Sequence, residues 1–219
     1  MLTLTASRAC RGAGFTVIEM MISTVILAIL LSVIGLTVLT GQQNFRQGVT
    51  EPVLEARARR AMDRIVAELQ GAQASSIIPN PTAPLGSSSL QFRVCTGYNG
   101  TAQLWGPWMM ISRVADPRDP QDGVDNDSDG IVDEGRVVLT RDVGGANQQS
   151  TIVDGVTRYL QGETAGGGDD NGNGRTDVAG LSFVADANQT LTIRLSIAAL
   201  DPRGKLLVQT VQTAVHMRN

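Results

Sequence analysis

Asp125, Asp127, Asp129 and Asp133 occupy relative positions 1, 3, 5 and 9 of one short segment, with Gly130 at position 6. Alternating carboxylates at this spacing converge on a hard cation. The glycine permits the sharp turn between them, and the backbone carbonyl at position 7, here Ile131, supplies one more oxygen. An all-oxygen donor set suits Ca²⁺ and not zinc or copper. Position 12, where a helix-flanked calcium loop carries a bidentate Glu, is Arg136, so Glu134 or an acid elsewhere has to complete the shell. A second segment repeats the spacing with weaker donors: Asp169, Asn171, Asn173 and Asp177, with Gly174 at position 6 and Arg175 offering its backbone carbonyl. Clustered carboxylates repel one another, so a bound cation is expected to order such loops and add to domain stability. Asp, Asn and Gly also build ordinary surface turns, and for the second segment that plainer reading stays equally open.

Both segments resemble the acidic loops of calcium-stabilised extracellular repeats, which implies a structural metal. Little else in the chain offers chemistry. His216 is the one histidine, beside the C-terminus, and Cys10 and Cys95 are the only cysteines. No nucleophile has an evident base, and the acids are spaced for a cation and not for the separated carboxylates of glycoside hydrolysis. The expectation is therefore not an enzyme, with a membrane-anchored periplasmic enzyme as a distant alternative. Twenty-one acids against 18 bases leave no electrostatic footprint for nucleic acid. Aromatic residues make up 4% of the chain while glycine numbers 24, a composition of turns and strands more than of an aromatic-lined pocket.

These loops must be carried by something, and the N-terminal segment says where. From Met20 to Asn44 there is no charged residue; Arg8 and Arg11 precede this stretch and Arg46 follows it. It is long enough for a helix to cross a bilayer core, which takes about 20 residues. The apolar run is too long for a secretory h-region and is followed by no small-residue cleavage site, so it is expected to stay in the mature protein. Basic residues ahead of it place the N-terminus on the cytoplasmic side and the rest of the chain in the periplasm. Glu19 is the exception to the apolar pattern. A charge at the membrane centre costs about 2.5–3.5 kcal/mol on insertion scales and persists where it finds a partner.

The run Arg11-Gly12-Ala13-Gly14-Phe15-Thr16-Val17-Ile18-Glu19 resembles the class III signal of type IV prepilins and type II secretion pseudopilins. That resemblance implies cleavage between Gly14 and Phe15 by a prepilin peptidase and N-methylation of the new Phe15 amine. It implies an assembly role for Glu19, and as partners other pilins or pseudopilins and an inner-membrane assembly platform. Physics agrees, because an amine at Phe15 lies one helical turn from Glu19 in its own chain and can also be presented by a shifted neighbour. Such a pair fixes the axial register between subunits more than it adds net stability. The layout, including Ile152-Val153-Asp154-Gly155-Val156-Thr157 and the lack of paired C-terminal cysteines, is similar to PilW-type minor pilins and J-type pseudopilins. The reading is a minor pilin-like subunit that primes or caps a filament; the alternative is a minor pseudopilin of a type II secretion system.

The remaining chain reads as α+β. Leu54, Ala58, Ala61, Ile65 and Leu69 follow helical spacing and form one apolar stripe, with Arg57, Arg59, Arg60 and Asp63 largely off it. Pro52 is expected to kink the helix or open a new turn, and Gly71 with the prolines from Pro79 onward to end it. Leu90, Phe92 and Val94 alternate, as do Leu191, Ile193, Leu195 and Ile197. Asp201-Pro202-Arg203-Gly204 reads as a turn that returns Leu206 to Val215 antiparallel. Further strands are expected over Trp108–Val114, Arg136–Thr140, Thr151–Thr157 and Leu181–Val184. The resulting plan has a cleaved leader at 1–14, a membrane and assembly helix at 15–45, its amphipathic continuation at 46–72, and a β-rich periplasmic domain at 73–219. In it the helix's second half packs on an antiparallel sheet, as in type IV pilins, and the acidic loops fall at 122–134 and 169–177. Cys10 leaves with the leader, and Cys95, alone, is expected in the core.

Overall fold

The computed structural model describes residues 15–78, 87–164, 166, 168–170, 172, 178–186 and 190–217, without the side chains of residues 43, 44, 46 and 47. The chain divides into two compact units, Met1–Arg46 and Gln47–Asn219. One helix, α1 (Val17–Leu69), runs from the first unit into the second and includes Pro52.

In the second unit α1 buries the stripe that its periodicity announces. Leu54, Ala58, Ala61, Ile65 and Leu69 are each at most 4% exposed, and Met62 joins them. They form one core with Leu90, Phe92, Ile111, Leu139, Phe183 and Ile193 from the strands. Polar ties frame this contact. Arg141 pairs with Glu68 at 2.5 Å, and the Arg64 guanidinium donates to the Thr151 carbonyl at 3.4 Å. Arg59 pairs with Glu55 one turn away on the exposed side, where it adds little to stability.

Nine strands follow among the described residues: β1 (Ser89–Phe92), β2 (Cys95–Tyr98), β3 (Gln103–Trp105), β4 (Met109–Ala115), β5 (Gly135–Arg141), β6 (Gln148–Val156), β7 (Leu181–Ala185), β8 (Thr190–Leu200) and β9 (Leu206–His216). The main sheet runs β1-β4-β5-β6-β8-β7, with β9 on β8, and its pairings are antiparallel. Ser87, just before β1, exchanges backbone hydrogen bonds of 2.9 and 2.8 Å with Phe183 of β7, so the two ends of the strand order meet. The expected return across Asp201–Gly204 holds: β9 pairs β8 from Thr190↔His216 to Leu200↔Leu206. The result is a long apolar helix followed by an antiparallel sheet, an α+β fold.

Two expectations change. Cys95 is exposed, not buried. It opens a small hairpin of β2 and β3 that lies outside the main sheet. The sequence reading placed no strands there, because residues 95–98 have no buried member and so no alternation. The turn at Asn99-Gly100 is held locally, the Asn99 side-chain oxygen accepting from the amides of Thr101 and Ala102.

Candidate functional site

Among the described residues of the first unit, the helix leaves its apolar surface exposed. Val17–Gln42 has mean hydropathy 2.7 and none of it is buried. Large side chains from Phe15 to Leu39 stand exposed on every face, a patch far beyond what a soluble monomer carries. Four hydroxyls inside this stretch are satisfied by their own helix: Thr24, Ser32, Thr37 and Thr40 donate to the carbonyls of Met21, Ala28, Ile34 and Leu36. Such back-bonding suits an apolar solvent, where an unpaired hydroxyl is expensive.

Its first turn is built by Thr16. The Thr16 carbonyl accepts from the Met20 amide at 3.1 Å, and its side-chain oxygen accepts from the Glu19 amide at 3.3 Å. Thr16 is thus the N-cap and Glu19 the third helical residue, the spacing of a capping box. Glu19 therefore starts the helix, near the positive end of its dipole, as well as being the one acid of the apolar stretch. Sequence reasoning missed this role, although Thr-x-x-Glu ahead of an apolar run is a visible signal. Phe15 is exposed just outside the helix, and Gly14 lies outside the described residues.

The first acidic loop lies in the connection between β4 and β5. Ala115 pairs with Gly135 at the end of that ladder, so residues 116 and 134 flank the neck of the loop. Asp125, Asp127 and Asp129 do come together, with one carboxylate oxygen of each within 4.8 Å of the others. Each also orders its own loop: Asp125 Oδ2 accepts from the Gly130 amide at 2.9 Å, Asp127 Oδ1 from Asp129 at 3.2 Å, and Asp129 Oδ1 from Ile131 at 2.8 Å. Gly130 has φ +85°, a conformation that favours glycine, and a Cβ there would also sit 2.3 Å from Leu200 Cδ1 and push that side chain aside. Ile131 is buried beneath the loop. Asp133 stands apart from the three. Its Oδ1 accepts from the Gly123 amide at 2.8 Å and its Oδ2 faces Arg158 at 3.4 Å.

Two further acids, Asp119 and Glu134, are enclosed beside the loop at 0% and 4% exposure. Asp119 Oδ1 accepts from the Asn126 amide at 2.8 Å. That bond, helped by the Glu134 carboxyl and the Asp133 amide, holds Asp119 below the usual carboxylate range despite burial. Glu134 moves the other way. Desolvation, then the neighbouring Asp119 and Asp129, push it up to about 7. Among the described residues, no amide, hydroxyl or basic side chain donates to the buried oxygens Asp119 Oδ2, Glu134 Oε2 and Asp125 Oδ1, and the Asp119 and Glu134 carboxyls have only each other. A cavity of about 350 Å³ opens alongside, lined by Asp127, Asp129, Glu134, Arg136 and Asp154 among others. Glu134 was weighed as a completing ligand from the sequence. Asp119, bracketed by Pro117 and Pro120, was not.

Of the second acidic loop, Asp169 is exposed, while Asn171, Asn173, Arg175 and Asp177 lie outside the described residues.

Among known families, the prokaryotic N-terminal methylation motif matches residues 11–35. The motif supports a type IV pilin-like or pseudopilin precursor. It covers the leader end, Phe15, Glu19 and the first half of the apolar helix, and it implies association with other pilins and with a prepilin peptidase. Neither the curated proteins nor the solved structures contain a match to the chain. The motif and the apolar helix are consistent with membrane anchoring and pilus assembly.

Proposed function

We propose that the chain is a minor pilin-like subunit, cleaved between Gly14 and Phe15, methylated at Phe15, and built by α1 into a type IV pilus-like filament with its β-rich head in the periplasm. The observation that carries this reading is the wholly exposed, uncharged helix surface with a single acid, Glu19, in its first turn. In a bilayer that surface is at home; in a filament the same surface meets copies of itself on neighbouring subunits. Glu19 then pairs with a neighbour's Phe15 amine and sets the stagger. The head is not catalytic in this reading, and the loop of Asp125, Asp127 and Asp129 holds a structural Ca²⁺ that braces it.

The test is fractionation at native expression. The chain is expected in sheared filaments by immunoblot. It should vanish from that fraction, and migrate as the longer precursor, when the prepilin peptidase is deleted. Recovery in filaments without the peptidase would contradict the reading.

A further inference from the structure

Resting on the calcium reading of the loop, we propose that Asp119 and Glu134, from outside the repeated spacing, complete the metal site with Asp125, Asp127 and Asp129. The ion thereby ties the loop to the neck between β4 and β5. Asp133, the ninth position of the sequence pattern, serves instead as a strut.

Burying a carboxylate without donors is strongly unfavourable, and two facing each other are worse. Asp119 and Glu134 are nearly inaccessible, and each retains an oxygen that no amide, hydroxyl or basic side chain reaches, the two carboxyls having only each other. Asp125, the loop's first ligand position, is in the same state: Oδ2 holds the Gly130 amide while the buried Oδ1 has no donor. Asp119 is fixed against this corner by the amide of Asn126, the residue next to Asp125. Glu134 reaches the same space as Asp127 and Asp129, since all three line one cavity. The backbone at the neck is held tight: a Cβ on Gly135 would lie 2.5 Å from the Val114 carbonyl oxygen, so Glu134 is followed by a residue that cannot grow. Asp125, Asp127 and Asp129 already lie within 4.8 Å of one another, and the unmatched oxygens of Asp119 and Glu134 beside them are what a hard ion taking 6–8 oxygens would draw in and satisfy. Asp133 cannot join without leaving the Gly123 amide and Arg158.

The rival explanation is a proton shared between Asp119 and Glu134 with no metal involved at that pair. Calcium titration of the full processed chain in detergent, by calorimetry and by melting with and without a chelator, separates the two. Wild type is expected to bind and to melt higher with calcium. Asp119→Asn and Glu134→Gln should each weaken binding by about tenfold or more, while the chelated protein melts no lower than wild type, because a crowding charge has been removed. Asp63→Asn, on the exposed helix face, should bind as wild type does. If Glu134→Gln does not fold, Glu134→Asp, which keeps the charge and withdraws it by one methylene, carries the same expected loss of affinity. Wild-type affinity in the Asp119 and Glu134 variants would overturn this ligand set and leave the loop reading standing. A wild-type chain indifferent to millimolar calcium would remove the loop reading itself.

Discussion

Glu19→Ala is expected to leave the chain fully inserted in the membrane and to lower its recovery in sheared filaments by more than about tenfold. The two halves of that result have different causes. Insertion depends on the apolar helix, and removing a charge from it lowers the insertion cost by up to about 2.5–3.5 kcal/mol. Alanine is the best helix former, so α1 is not broken, and the Thr16 cap uses the residue-19 amide, which the substitution keeps. What disappears is the partner for a neighbour's N-terminal amine. Breaking one side of a buried ion pair costs about 3–5 kcal/mol because it strands the other charge, and each 1.4 kcal/mol is a factor of about ten in an association constant. Glu19→Gln should behave in the same way. Normal recovery of either variant at native expression would show that the pairing is not what sets assembly.

Ile65→Asp carries the second large effect, and it acts on the head alone. Ile65 is fully buried, midway along the stripe, in the core shared with the strands. The substitution loses about 2–3 kcal/mol of apolar burial and encloses a carboxylate that has no donor in this core, a penalty of several kcal/mol more. The total approaches the roughly 5–15 kcal/mol by which whole domains are stable. The expected outcome is a chain that still enters the membrane but whose head is digested by limited trypsin at concentrations wild type survives. Ile65→Val, a loss of about 0.5–1.5 kcal/mol, should resist like wild type. A protease-resistant Ile65→Asp head would mean that the stripe does not anchor the sheet.

How much of this was legible follows from where each signal lives. Helical spacing is a local signal, and all five stripe residues from Leu54 to Leu69 proved buried. Strands that bury one face were also legible: Leu90 and Phe92 in β1 alternate as read, and β8 and β9 pair around the turn that joins them. The β2–β3 hairpin was hidden because neither of its faces enters the core, so its residues, Cys95 included, follow no periodic rule. That Asp125, Asp127 and Asp129 come together was visible because their spacing is written at fixed local offsets. Asp119 was not, since its place beside the loop depends on β4 and β5 pairing out to Ala115↔Gly135, a contact no local pattern encodes. Asp133 shows the converse. It sits at the right offset, but with a φ of +56° and partners in Gly123 and Arg158 it stands outside the cluster of the other three.

Mass spectrometry of the N-terminus of the native protein, isolated from membranes and filaments, reads whether the leader is removed and α1 retained. A mature chain beginning at Phe15, carrying one added methyl group and retaining the whole of α1, is the expected product. An intact leader at Met1, or a start beyond Gln42, would contradict it: the first leaves no amine beside Glu19, and the second leaves no helix to assemble.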